Sequence, residues 1–508
     1  ARQRTLRDTI IWSHDLLSPN VQVLFRRLGV FRGCTLDAVE TVCCISTEEP
    51  GASSLAIPPV PLDALDGVTS LVEQSLLLRE ETADGQPWYV MLETVREFAL
   101  ERLAESGEDA AVRRRHALYY LRLAEAADEA AQGPQQVTLL DRLSREHDNY
   151  REALRWCSAR GYAEPALRTA AALWWFWFVR GHVSEGRGHM ASLLERFPLR
   201  EGSTSRQRAL LHARVFRAAG HLASFHGDQE GAQVLLEQAV HIAERAGDAA
   251  RAADALQGLV FVARQRGDLA AARRYLEKVL YQAQAGGEPA EIFNALYMLG
   301  HLAHDEGDYA RTRKLLGESL ALYRQATQQG NTIDPHVVGD YYLLLSIVSL
   351  DQGDYELARA EAEQALARYG VAGDRRRSAV AHVTLGGVAM AQGDHAAATI
   401  HLGESLHAAQ EVGDPGTMAA ALERFAVLAA ERGAPNRALR LAGAANALRE
   451  DSGTRLPSAA QAKLDASLAV ARDSLGAADA ASASASGRAL SPNDAAAEAL
   501  APLDQPCR

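Results

Sequence analysis

Three side chains that could bind a metal ion lie close together in the middle of the sequence. His301, His304 and Asp305 are spaced i, i+3 and i+4, so one helix can present them on one face. A zinc site needs a further ligand and an outer shell of hydrogen bonds, and the neighbouring sequence offers neither. A solvated polar face is the favoured interpretation, and no metal site is predicted.

The sequence carries none of the common catalytic signatures. It contains no GxxxxGK[ST] loop for nucleotide phosphates, no HExxH zinc motif and no GxSxG nucleophile turn. Its lysines are Lys278, Lys314 and Lys463, and none of them follows a glycine. We therefore expect this chain to be non-enzymatic and to need no cofactor of its own.

The elements that would position these histidines are repeated helical hairpins. Gly-Asp pairs recur at 227–228, 267–268, 307–308, 353–354 and 393–394, with Gly181 and Gly433 as degenerate members. Glycine permits the positive φ of a tight turn, and aspartate caps the helix that follows. The spacing is 40 residues, or 46 where the connectors 198–205 and 328–335 intervene. This period predicts an α-solenoid that resembles lengthened tetratricopeptide repeats.

Small side chains recur in phase with the turns, where two helices would approach each other. They lie five residues after the turn glycine (Ala232, Ala272, Thr312, Ala358 and Ala398) and seven before it (Gly220, Gly300, Ser346, Gly386 and Ala426). Positions that vary between repeats would face the inner groove of the superhelix. Those of the central repeats form the predicted binding surface for an effector or partner: Arg214, Arg217, His221, Asp254, Gln257, Phe261, Arg264, Asn294, Tyr297, His301, His304 and Asp305. An ordinary solvated helix face is the alternative interpretation.

The N-terminal part shows a different pattern. Helices are predicted at Thr5–Leu17, Pro19–Leu28, Thr35–Cys43 and Leu62–Gln74, followed by a hairpin with an Asp-Gly turn and a last helix at Glu93–Leu103. This order predicts a winged helix. The helix Leu62–Gln74, which is the third of the winged helix after the leading helix Thr5–Leu17, carries Asp63, Asp66 and Glu73 and no basic residue, so we expect no direct DNA contact.

Composition limits the remaining possibilities. The 508 residues are 47% apolar, enough for two to four domains, and the formal net charge of −12 argues against a nucleic-acid footprint. No apolar run reaches the roughly 18 residues that a membrane span requires, and ARQRTLRDTI does not resemble a signal peptide. The five cysteines lack CxxC spacing and are predicted to be reduced thiols, so we expect a cytoplasmic location without membrane contact.

Four strings in combination resemble a known family. They are TLRDTIIWSHDLLSPNVQVLFRRLGVF (5–31), LVEQSLLLRE (71–80), MLETVREFALERL (91–103) and EHDNYREALRW (146–156). The combination is similar to the segment after the nucleotide-binding domain in bacterial STAND ATPases. These NB-ARC-like proteins include many LuxR-type and SARP-type transcriptional regulators.

The resemblance implies an ATPase domain upstream of Ala1, which would hold ATP or ADP and Mg²⁺ and would be a partner of this chain. In related proteins a Met-His-Asp motif of the winged helix contacts ADP, and the aligned positions here are Met91, Leu92 and Glu93. The histidine is absent, so a packed strand end is favoured over nucleotide sensing.

The predicted architecture is mainly α: a winged helix followed by a tetratricopeptide superhelix. Residues 1–107 are assigned to the winged helix with a leading helix, 108–166 to a helical connector and 167–447 to about seven hairpins. Residues 448–476 are assigned to a capping helix and 477–508 to an Ala/Ser-rich flexible linker with a short tail helix. The aromatic run 174–178 would pack between connector and solenoid, or form a partner surface. Functionally, we expect a sensor and interaction module of a STAND-type transcriptional regulator, or else a free-standing interaction scaffold.

Overall fold

The computed structural model describes residues 2–44, 58–82, 85–130, 135–199, 205–286, 289–328, 335–452, 454, 456 and 458–502. Four predicted features lie wholly or partly outside these residues: the Pro-rich loop 50–61, the connectors 198–205 and 328–335, and the Ala83-Asp84 tip of the hairpin. The chain divides into two compact units. The first comprises Ala1–Asp128, Asp141–Ala172 and Glu195–Phe197, and the second comprises Glu129–Leu140, Leu173–Leu194 and Pro198–Arg508.

The N-terminal part follows the predicted element order of helices, hairpin and helix. Its elements are α1 (Arg2–Asp15), α2 (Pro19–Leu28), α3 (Leu36–Val39) with a π-helical turn (Glu40–Cys44), α4 (Ala64–Glu73), β1 (Leu78–Glu81), β2 (Pro87–Val90), α5 (Glu93–Ser106), α6 (Asp109–Glu129), α7 (Gln136–Arg145) and α8 (His147–Arg160). The strands are antiparallel, with Leu78 opposite Val90. Thr35 caps α3, because its side chain accepts a hydrogen bond from the backbone N–H of Ala38 at 3.2 Å.

A buried arginine links three segments of this unit. The Arg27 side chain is 1% exposed and donates to Glu108 Oε1 at 2.7 Å, at the start of α6. It also donates to the carbonyl oxygens of Cys43 at 2.7 Å and Pro58 at 3.0 Å. A buried guanidinium is tolerated only when its donors are satisfied, so these contacts fix α2 against α6.

The segment EHDNYREALRW (146–156) takes part in a second network of buried hydrogen bonds. Asn149 on α8 accepts from the backbone N–H of Arg32 at 2.8 Å and donates to the carbonyl of Gly33 at 2.9 Å. Glu146 accepts from the hydroxyl of Tyr120 at 2.6 Å, and burial raises the pKa of its carboxyl group. The string therefore holds the loop between α2 and α3.

Among the residues that the structure describes, the repeats form seven helical hairpins in sequence. Their helices are α9 (Ala163–Val179), α10 (Val183–Arg196), α11 (Arg206–Phe225), α12 (Gln229–Arg245), α13 (Ala249–Gln265), α14 (Leu269–Gly286), α15 (Pro289–Asp305), α16 (Tyr309–Gln328), α17 (Pro335–Asp351), α18 (Tyr355–Ala372), α19 (Arg375–Ala391), α20 (His395–Val412), α21 (Pro415–Glu431) and α22 (Pro435–Ser452). The predicted α-solenoid is confirmed. Within the described residues, no helix is both long and apolar enough to cross a membrane.

The Gly-Asp pairs make the turns as predicted. Gly227 has φ of +88°, and Asp228 accepts from the backbone N–H of Gly231 at 2.9 Å. Gly220 lies where a Cβ would come within 2.6 Å of Leu236, so only glycine permits this approach of α11 and α12. The other small residues are buried in the same way, among them Ala232, Ala272 and Ala398. Turn and packing residues therefore recur together because they build the same hairpin.

A second set of Gly-Asp pairs was missed in the sequence. Gly247, Gly373 and Gly413 also have positive φ, and the aspartate after each caps the first helix of the next hairpin. These turns join hairpin to hairpin rather than helix to helix within one hairpin. They occur where the repeat interval is 40 residues and no longer connector intervenes.

The prediction of a flexible linker after the array was wrong. Residues 477–487 lie in α24 (Ala477–Arg488), which follows α23 (Ser458–Leu475) and precedes α25 (Pro492–Leu500). α24 packs closely on α22, because Gly443 and Gly487 leave no side chain between the two backbones. Alanine and serine are small enough for this contact, so the composition that suggested flexibility instead permits close packing. Three helices rather than one therefore cover the end of the array.

Candidate functional site

The first helices of the hairpins form the inner layer of the second unit. Helices α11 and α13 contact each other, as do α15 and α17, α17 and α19, and α19 and α21. The twelve predicted binding residues lie on α11, α13 and α15. Most of them belong to one of two groups. The first is an aromatic shelf with an adjoining arginine cleft, and the second is a set of paired polar residues.

The first group contains an aromatic shelf, which is formed by Trp174, Phe178, His221, Phe225 and Phe261. Trp174 stacks on His221 with ring centroids 5.3 Å apart, and Phe178 stacks on Phe225 at 4.0 Å. Phe261 continues the row at 5.5 Å from Phe225. These rings are partly exposed, whereas Phe176 and Trp177 of the same aromatic run are buried. Phe176 and Trp177 are therefore packed side chains, whereas a partner surface at Trp174 and Phe178 stays a prediction.

An arginine cleft adjoins the shelf. Arg214, Arg217, Arg251 and Asp254 line this space of about 380 Å³ between α11 and α13. Arg217 belongs to both features, since its guanidinium lies 5.6 Å from the centroid of the Trp174 ring. Arg251 also forms an ion pair with the capping residue Asp248. The cleft has three guanidinium groups to one lining carboxylate, so it favours an anionic group beside an aromatic surface.

The second group consists of paired polar residues on α13, α15 and α17. Tyr297 and His301 share a hydrogen bond of 2.8 Å, and Arg264 donates to Asp305 Oδ1 at 3.0 Å. His304 bonds Asp351 through Nε2 at 2.8 Å. The three side chains first considered as metal ligands thus each have a different partner.

The two histidines of this group have opposite electrostatic environments. Burial lowers the pKa of His301 to about 3, whereas the neighbouring carboxylates of Asp305 and Asp351, which accept from the imidazole of His304, raise its pKa. Although burial opposes it, hydrogen bonds from His304 and Arg264 lower the pKa of Asp305 to about 2. The charged and polar side chains of this group therefore pair with one another.

The remaining predicted residues take varied positions. Gln257 and Asn294 are partly buried on α13 and α15. Met91 is buried next to β2, as expected for a packed strand end, but Leu92 is 54% exposed. Glu93 is exposed and pairs with Arg96 at 2.7 Å and with Arg32 at 2.9 Å.

Polar residues of the later hairpins were missed in the sequence. Arg377 on α19 pairs with Asp340 at 3.0 Å and with Asp374 at 2.8 Å, and Tyr369 donates to Asp340 at 2.7 Å. The later hairpins of the array therefore also contain polar side-chain contacts. No periodic signal marks these contacts, because they join three different helices.

The first hairpin also contacts the sixth and seventh hairpins. Arg376 lies over the ring of Phe178 at 5.1 Å, and Gly181 approaches Pro415. Gln136, which is buried, donates to Asp374 at 3.4 Å and accepts from the backbone N–H of Arg376 at 3.2 Å. We call these contacts the closing contacts of the array.

Two partly buried histidines, His221 and His301, predict a pH dependence of stability. Burial lowers the pKa of His221, as of His301, to about 3, against an ordinary value of 6.5. Below pH 6.5 the unfolded chain binds protons that the folded chain does not, so stability falls as pH decreases towards 3. Each such histidine should contribute a slope of up to about 1.4 kcal/mol per pH unit.

Urea titrations at pH 7, 6 and 5, followed by circular dichroism, would measure this slope. His221→Phe should make it shallower, because phenylalanine keeps the ring stack and removes the titrating group. His407→Phe is the matched control at an exposed histidine and should leave the slope unchanged. Equal slopes for wild type and His221→Phe would contradict the prediction.

Comparison with known proteins finds relatives that match only part of the chain. No family model matches the chain. A Mycobacterium tuberculosis protein named as an HTH-type transcriptional regulator is 40% identical over 195 residues, which are 38% of this chain and 20% of that protein. An uncharacterized protein of the same organism is 34% identical over 115 residues, 22% of this chain and 26% of its own length. The chain thus spans about a fifth to a quarter of the curated relatives that it matches.

Solved structures with similar folds include helical-repeat proteins. A STAND protein with a tetratricopeptide repeat sensor from Pyrococcus horikoshii covers 90% of this chain and 66% of its own, with 16% identity and a TM-score of 0.37. A Rap protein complexed with a competence and sporulation factor covers 66% of this chain and 99% of its own, with 14% identity and a TM-score of 0.41. Since both scores are low, the fold assignment rests on the repeats of the chain itself.

Proposed function

We propose that this chain is the sensor and protein-interaction module of a STAND-type transcriptional regulator of the LuxR-type or SARP-type group. The observation that supports this proposal most is that the aromatic shelf and the arginine cleft adjoin each other on the inner layer of a repeat array. Arg217 belongs to both. Repeat proteins use such inner surfaces for extended ligands, because successive hairpins offer successive contacts. The regulator name of a relative supports the transcriptional part of the proposal.

The preferred ligand is an acidic peptide or protein segment with an aromatic or apolar residue beside its charge. The acidic group would enter the cleft between α11 and α13, and the apolar residue would lie on the shelf. Charge-assisted hydrogen bonds from arginine to carboxylate give both orientation and affinity. A small effector with the same two features would use the same contacts.

The N-terminal unit would act as a winged helix that relays ligand binding to an upstream ATPase domain. It contains the expected helices and hairpin, and the exposed residues of α4 and its N-cap include Asp63, Asp66 and Glu73. This acidic face would repel phosphates, so the proposal assigns it to protein contact rather than DNA reading. ATP binding and hydrolysis would belong to the longer polypeptide, while the cytoplasmic location stays a prediction.

A peptide selection would test the proposed site. The full chain would be panned against a library of random phage-displayed peptides, and the Kd of the best synthetic peptide would be measured by calorimetry. We expect enrichment of Asp and Glu beside aromatic residues. Arg217→Ala should weaken binding by about tenfold or more, because it removes a charge-assisted hydrogen bond worth roughly 1.5–3 kcal/mol.

Arg432→Ala is the matched control, at an exposed arginine on the far end of α21. It should leave the Kd unchanged, and circular dichroism should show the same helix content in both variants. A selected pool without acidic residues, or an unchanged Kd for Arg217→Ala, would refute the proposal.

A further inference from the structure

A second cleft lies away from the aromatic shelf, beside the second helices of the first two hairpins. It has a volume of about 1100 Å³ and is bounded by α10, α11 and α12. Apolar side chains from all three helices contribute to its walls, namely Leu194, Phe216, Val234 and Ile242. Drug-sized ligands usually occupy pockets of about 300–1,000 Å³, so this cleft can hold a small molecule.

α10 is shorter than the second helices of the later hairpins. It has 14 residues and ends at Arg196, whereas they have 17 to 20. Val234 on α12 is 54% exposed and lines the cleft. The corresponding position is Arg274 and Lys314 in the next two repeats and the exposed Ile400 in a later one, so an apolar side chain here is not common to all repeats.

The charges of the lining residues select the kind of ligand. Arg206 and Arg245 contribute two guanidinium groups, and His212 and His241 contribute two imidazoles. Glu237 is the one carboxylate among the lining residues, and it accepts a hydrogen bond from Gln233 at 2.9 Å. An apolar wall with an excess of cationic groups complements a molecule with an apolar body and one negative charge.

We infer that this cleft is a binding site for a small amphipathic carboxylate, separate from the inner-face site. The apolar body would cover Val234 and Phe216, and the carboxylate would lie among Arg206, Arg245 and His241. α11 would then contact both ligands, because Arg214 and Arg217 lie in the inner cleft while His212 and Phe216 line this one.

Decanoate below its critical micelle concentration is a suitable probe for the full chain. Calorimetry should show saturable binding at one site. Decyltrimethylammonium, with the same chain length and opposite charge, should bind at least about tenfold more weakly. Val234→Trp should weaken decanoate binding by about tenfold, because the indole fills the wall that the alkyl chain covers.

The chain offers a matched control for this variant. Ile400 lies at the same position of a later hairpin and is 64% exposed, so Ile400→Trp adds the same surface indole outside the cleft. It should leave decanoate affinity unchanged. The inference would be overturned by the absence of saturable decanoate binding, by equal affinities of Val234→Trp and Ile400→Trp, or by equal binding of the cationic probe.

Discussion

Replacing Arg27 by methionine is expected to lower the free energy of unfolding of the N-terminal unit by about 3–5 kcal/mol. The substitution keeps an apolar stem of similar length but leaves the carbonyl oxygens of Cys43 and Pro58 without this donor. Glu108 would retain Arg26, at 3.1 Å, as a partner but would lose its buried one. Buried polar groups that lose their partners account for the size of the effect.

Hydrogen exchange measured by mass spectrometry on the full chain would locate this loss in α2 and the start of α6. Arg7→Met is the control, because Arg7 pairs with Glu101 at the surface, with about half of its side chain exposed. Exposed ion pairs contribute little to stability because solvent screens them, so this variant should change exchange little. Equal protection in Arg27→Met and wild type would show that the buried pair does not stabilise the unit.

Replacing Gly487 by alanine is expected to detach α24 and α25 from the array. A Cβ at this position would overlap the carbonyl oxygen of Arg440, and backbone atoms on both helices cannot move aside as a side chain can. The cost should reach about 3 kcal/mol, at the upper end of overpacking effects. The contact of Arg440 with Glu498 at 2.8 Å would be lost as well.

Limited proteolysis and hydrogen exchange would detect the release of residues 477–500. Gly317→Ala is the control, since Gly317 lies within α16 with open space around it. That variant should be neutral or stabilising, because alanine favours helix more than glycine by up to about 1 kcal/mol. Retained protection of α24 in Gly487→Ala would mean that the two helices are not in close contact.

The hairpins were predictable because each is fixed by local signals. A glycine of positive φ, a capping aspartate and two small residues lie within about a dozen positions of one another, as around Gly227. The Tyr297–His301 pair follows from the same local geometry, since the two residues are four apart on one helix.

Contacts between hairpins could not be read in this way. Arg264 on α13 pairs with Asp305 on α15, and Arg377 on α19 pairs with Asp340 on α17. Both ion pairs depend on how neighbouring hairpins are placed against each other. The prediction of a flexible linker at α24 was wrong for a related reason. The composition of this segment gave no sign of the partner surface on α22, because Gly443 is informative only once the two helices are placed side by side.

The closing contacts change how stability is distributed along the array. In an open row of repeats each hairpin depends on its nearest neighbours, so the ends unravel first. Here Phe178 of the first hairpin contacts Arg376, and Gln136 of the earlier helix α7 bonds to Asp374, 238 positions away. The first hairpin therefore has neighbours on two sides, like an inner one. A non-local contact of this kind slows folding, because a long loop must close before it forms, but it joins the array into one cooperative unit.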